Sequence, residues 1–198
     1  MLRESRPIRQ SMMRKNRKKI VVSSIATIFL VLLYVLIFTF SEQDGETSGG
    51  LSQMISEKCV EIFNALAGKN WSKLMMQSMA EYFENPIRKL AHFCEYAVMG
   101  VLLFWIWYPW LGLYGRVAGQ KGSCRLLQGL PRVVNLIVPW ILVSAAFDEI
   151  HQLFIPGRSG NFLDVLLDTV GGCFGLLCCI VIVKLIERRK DKWGSVAK

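Results

Sequence analysis

Histidine is scarce in this chain, with 2 among 198 residues. Neither His92 nor His151 stands in an HExxH or comparable metal-ligand spacing, so the linear pattern assigns no metal and no cofactor. The six cysteines, Cys59, Cys94, Cys124, Cys173, Cys178 and Cys179, contain no CxxC pair. A disulfide framework or a zinc ribbon is therefore not the organising device, and burial by packing is the ordinary role of such cysteines. No Ser-His-Asp or Cys-His spacing marks a nucleophile. Acidic residues are also in deficit, 15 against 24 bases, for a net charge of +9. Such an excess raises a nucleic-acid partner, but the bases sit outside the apolar blocks and no aromatic-interleaved basic groove accompanies them. Nucleic acid is set aside.

What the chain has in quantity is apolar sequence: 53% hydrophobic residues and a mean hydropathy of +0.36. These residues gather into blocks of about 20, the length that crosses a hydrocarbon core. The expectation is an all-α, polytopic membrane bundle of about four transmembrane helices. A basic head, 1–19, precedes the charge-free run 20–40. That run is too long for a secretory signal, whose apolar region spans roughly 7–15 residues, and no small-residue cleavage pattern follows. It reads as a retained first helix with a cytoplasmic N-terminus.

In 41–86 the acids outnumber the bases, which suits the external side. Leu51, Met54, Ile55, Cys59, Ile62, Phe63 and Leu66 recur at helical spacing. After a break at Gly68-Lys69-Asn70, Ser72 can cap a second short helix. The two form an amphipathic hairpin on the interface or over the bundle. Pro86 suits the first turn of the second span, about Ile87 to Trp110. The loop 111–132 carries Arg116, Lys121, Arg125 and Arg132 with no acid, and belongs inside. The third span, about Val133 to Phe154, contains Pro139 as a candidate kink. Pro156-Gly157 makes a turn, and the fourth span runs from about Phe162 to Ile186. A basic tail, 187–198, returns to the cytoplasm.

With this topology three polar faces meet at the outer leaflet. Arg88, Lys89, His92, Glu95 and Tyr96 share one face of span two. Asp148, Glu149 and Gln152 share a face of span three, with His151 beside Asp148. Asp164 and Asp168 lie one turn apart on span four, above Gly171 and Gly175, whose small size lets a neighbouring helix approach. Ionisable groups at membrane depth are costly and ordinarily face a protein interior or a watery cavity. Arg158, after Pro156-Gly157, is placed to present a guanidinium to phosphate or carboxylate, or to pair with Asp164. The plainer alternative is that these charges neutralise one another and knit the bundle together.

Three stretches carry a resemblance: FTFSEQDGETS at 38–48, KLAHFCEYAVMG at 89–100 and DEIHQLFIPGRSGNFLDVLLDTVGGCFG at 148–175. Together they resemble the VanZ-like membrane proteins. The resemblance implies a bacterial cytoplasmic-membrane protein, and relatives are linked to reduced susceptibility to teicoplanin-type glycopeptides. It marks Lys89, His92, Glu95, Tyr96, Glu149, Gln152, Pro156, Arg158, Asp164 and Gly171 as family-typical. In many relatives Asn stands where this chain has Asp168, an added acid here.

Two readings of function follow. In the first, the polar pocket binds the head group of a membrane lipid or lipid-linked cell-wall precursor through Arg88, Lys89 and Arg158, with Tyr96, Gln152, Asp164 and Asp168 completing it. In the second, the protein is a membrane-embedded hydrolase or transferase. His92, Glu95, Asp148 and Glu149 then supply acid–base chemistry. A scaffold or carrier is a third class, with four spans and no inverted repeat in its disfavour.

Overall fold

The computed structural model describes residues 5–43, 45–111, 122–158 and 160–196, and side-chain surroundings for 13–14, 16–43, 49–111, 129–158 and 160–193. Among these residues the regular structure is entirely helical: α1 (Ser5–Ser41), α2 (Gly45–Leu66), α3 (Lys73–Trp107), α4 (Gly122–Gln152) and α5 (Phe162–Val196). Stretches of α1, α3, α4 and α5 are long and apolar enough to cross a membrane. Their outward faces carry large apolar side chains such as Ile28, Val143 and Leu163, each at least 60% exposed. In water that surface would be opposed by the hydrophobic effect, whereas lipid tails cover it without penalty. A multi-pass membrane bundle is the fold that this surface permits.

Two boundaries differ from the sequence reading. The second arm of the hairpin and the second span are one helix, α3, and Pro86 lies inside it rather than at its start. Its 35 residues extend to about 52 Å at 1.5 Å per residue, well beyond a hydrocarbon core of about 30 Å. The surplus projects from the bundle and carries α2. The loop assigned to 111–132 is also shorter, because α4 begins at Gly122. Arg116 and Lys121 lie outside the described residues, as does the side chain of Arg125.

Local signals set the joints. Gly68 (φ 61°) turns the chain after α2, a left-handed conformation that favours glycine. Ser72 caps α3 as expected, its hydroxyl accepting from the Met75 N–H at 3.3 Å. Helix α2 meets α3 through a mixed face: Ser52, Ser56 and Val60 are buried, and the Ser52 hydroxyl reaches Glu84 Oε1 at 2.9 Å. The apolar residues on which the hairpin was first recognised, Met54, Ile62 and Leu66 among them, are left exposed. Cys59 and Phe63 of the same set border an apolar cavity with Met79, Phe83 and Ile87 of α3, and an exposed apolar surface of this kind suits an interfacial helix.

The core is built of helical stripes. Val133, Ile137, Ile141 and Ala145 of α4 recur every fourth residue against Tyr96, Met99, Leu103 and Phe104 of α3. Helix α1 joins through Leu30 and Ile37, and through Tyr34, whose hydroxyl lies 2.6 Å from Ser144 Oγ and accepts from Trp140 Nε1 at 2.8 Å.

The tightest seam lies between α5 and α3. A methyl added at Gly171 would strike the Phe93 carbonyl, one at Gly175 the Ala97 carbonyl, and one at Gly100 the Gly172 carbonyl. Gly175→Val should therefore destabilise the bundle, by about 1–3 kcal/mol for overpacking. Gly50→Ala, whose added methyl meets nothing within 4 Å, should be neutral or gain up to ~1 kcal/mol. Thermal melts in detergent compare the two.

Candidate functional site

The glycine seam fixes the register in which α3 presents Arg88, Lys89 and His92 to the first turns of α5. At the same end, α4 finishes with Glu149 and Gln152, and the connection to α5 turns at Gly157 (φ 74°). These elements enclose a polar cavity of about 210 Å³ whose lining includes Arg88, Lys89, His92, Glu149, Gln152, Arg158, Asp164 and Asp168. Eight of the residues singled out in the sequence thus share one wall system.

Several of these groups have a definite holder, whereas both Asp168 carboxylate oxygens are buried without a hydrogen-bond partner. Lys89 Nζ donates to Asp164 Oδ1 at 2.6 Å across α3 and α5. Glu149 Oε2 accepts the Asn161 N–H at 2.8 Å, and Asn161 Oδ1 accepts the Leu163 N–H at 3.1 Å at the start of α5. Gly160 completes this joint, since a side chain there would run into the Glu149 carbonyl. Arg158 does not pair with Asp164. Its Nη2 donates to the Phe40 carbonyl at 2.7 Å, satisfying an end group of α1. Arg88 donates to Asn85 Oδ1 at 3.3 Å. Among the described residues, no carboxylate forms an ion pair with either guanidinium. Partial burial pushes the Arg158 pKa below its ordinary value, and the like charge of Arg88 pushes the same way.

Three expected members stand elsewhere. Glu95 lies beside His92, with Oε2 3.8 Å from Nδ1, rather than on the cavity wall. Tyr96 and Asp148 line a second, apolar cavity of about 830 Å³ between α1 and α4. His151 faces that cavity as well, its ring 4.7 Å from that of Phe38. The cause is rotational: each turn of α4 advances the side chains by 3.6 residues, so adjacent positions diverge by about 100°. Asp148 is tethered toward the polar side by Gln152 Nε2, which donates to its Oδ2 at 3.3 Å.

The sequence reading did not single out Asn85 and Asn161. Asn161 was detectable, because an Asn immediately before an apolar run is a helix N-cap signal. Asn85 had no such signal.

The Lys89–Asp164 bridge is partly open, with side chains 41% and 27% exposed, so solvent screens it. A double-mutant cycle with Lys89→Met and Asp164→Asn should return a coupling below about 1 kcal/mol. A larger value would mean that the cavity wall is closed to water.

Comparison with curated proteins and with solved structures returns no match. Comparison with family profiles does, over residues 26–184 of the chain. That stretch runs from α1 through α5 and holds every polar residue described above, so the chain belongs to the VanZ/LLP1 family.

Proposed function

We propose that this VanZ-like protein resides in a bacterial cytoplasmic membrane, with both termini in the cytoplasm and the polar cavity at the outer leaflet. There the cavity binds the phosphate-bearing head group of a membrane lipid or lipid-linked envelope precursor. The observation that carries this reading is the pair Arg88 and Arg158: two guanidiniums lining one small cavity, neither ion-paired with a carboxylate among the described residues. Guanidinium groups recognise phosphate through charge-assisted, often bidentate, hydrogen bonds. The apolar cavity nearby suits the chain of an amphiphile, since Asp148 and Tyr96 on its wall adjoin the polar side. The orientation follows from the basic head, the basic 111–132 stretch and the basic tail, all on one side under the positive-inside rule. A site at this surface lies where lipid-anchored glycopeptides act, which would connect it to the teicoplanin-type resistance associated with VanZ-like proteins.

A second reading, acid–base chemistry on the bound lipid, draws on His92 beside Glu95 and on Glu149 in the cavity wall. It would use the same binding groups.

Native mass spectrometry of the protein extracted with its own lipids tests the binding reading. The wild type should retain an anionic head-group species. Replacing both Arg88 and Arg158 by Gln should cut retention by on the order of tenfold or more, at about 1.5–3 kcal/mol per charge-assisted bond. Equal retention in a folded double variant refutes it.

A further inference from the structure

We propose that His92, Asp148 and Asp168 form a binding site for a single divalent transition-metal ion, with zinc as the best-matched ion. One residue comes from each of α3, α4 and α5, and one donor atom of each lies within 4.8 Å of the others. Donors of a tetrahedral zinc ion stand about 3.4 Å apart, given bond lengths of about 2.1 Å. Small side-chain rotations therefore close the site.

An independent observation points to a ligand. Asp168 is fully buried, and neither of its carboxylate oxygens has a hydrogen-bond partner. A carboxylate in that position without a donor or a cation is strongly disfavoured. The surrounding cations do not reach it: Lys89 is held by Asp164, Arg158 by the Phe40 carbonyl and Arg88 by Asn85. A dication between two carboxylates and a neutral imidazole has no net charge, which suits burial among helices.

Gln152 supplies one contact of the outer layer that metal ligands commonly have. His92 Nδ1 is buried without a hydrogen-bond partner, Glu95 Oε2 being 3.8 Å away, so the imidazole has a nitrogen free for an ion. Gln152 holds Asp148 by Oδ2, leaving Oδ1. One nitrogen with two oxygens favours an ion that accepts both donor types, whereas magnesium and calcium prefer oxygen alone. Three protein ligands leave a fourth position open. His92 and Asp168 line the polar cavity, so that is where an exogenous oxygen would enter. The assignment does not depend on the lipid reading, because it concerns the ion alone.

The test uses the full chain in detergent, free of any affinity tag. The protein is stripped with a chelator and dialysed against zinc chloride, and bound zinc is counted by inductively coupled plasma mass spectrometry. About one zinc per chain is expected. Asp168→Asn and His92→Gln should each lower the retained zinc by roughly tenfold or more at limiting zinc. His151→Gln, in the other cavity, should retain it. Cobalt(II) in place of zinc should give visible d–d absorption without the near-ultraviolet thiolate band that the free cysteines would produce. Asp148→Asn is the second carboxylate variant should Asp168→Asn fail to fold. Zinc retained equally by the folded ligand variants, a thiolate band, or no zinc on the wild type overturns the site. Lipid retention measured on the same samples keeps a failure of the metal site separate from a failure of the anion reading.

Discussion

The contact on which this structure depends is between backbone and backbone. Gly171 and Gly175 of α5 bring that helix onto the Phe93 and Ala97 carbonyls of α3, and Gly100 returns the contact against Gly172. In a membrane the hydrophobic effect does not drive helices together, so close van der Waals packing between small residues must do much of that work. The seam also dictates where the polar groups fall. Asp168 lies one turn above Gly171 on α5, and His92 adjoins Phe93 on α3. Contact of the glycines with those carbonyls therefore carries the acid and the imidazole to the same level.

Once the register is set, electrostatics decides how each charge is accommodated. The solutions are local and unequal. Asp164 takes Lys89, and Glu149 takes a backbone N–H at the start of α5, where the helix dipole also favours an acid. Arg158 closes the end of α1 through the Phe40 carbonyl, so the loop after α4 is tied to the first helix. Simple mutual neutralisation would have paired every cation with an acid. Instead the arginines bond to uncharged oxygens while Asp168 stays unmatched. That imbalance is what the proposed binding reading rests on.

Much of this was legible in the sequence because membrane constraints are coarse and strong. Apolar blocks gave four spans, and alternation of the spans placed Arg88 to Tyr96, Asp148 to Gln152 and Asp164 to Asp168 at a common level. Gly171 and Gly175 were readable as a close-approach stripe because small residues four apart share one helix face. What escaped was rotation and continuity. Pro86 looked like a helix start, yet a proline is also tolerated inside a long helix when neighbouring structure satisfies the freed carbonyl. The contribution of Asp148 and Tyr96 to the second cavity depends on the angle at which α1 meets α4, which no spacing encodes. The three-helix cluster of His92, Asp148 and Asp168 was equally hidden, since metal motifs are read along a chain and this one is assembled across it.

The position of Asp148 ties the two cavities into one question. It lies on the wall of the apolar cavity, is held by Gln152 of the polar one, and has a donor atom within 4.8 Å of both His92 and Asp168. An amphiphile with its head group among Arg88 and Arg158 and its chain along Tyr34 and Trp140 would cross beside this residue. A pure binding protein has little use for an acid at that crossing, because a carboxylate repels a phosphate. An acid held there becomes favourable when a cation lies between it and the phosphate. On that argument the proposed metal ion and the proposed anion would stabilise one another across one shared wall, and occupancy of either site should raise affinity at the other by the same factor, as linkage requires.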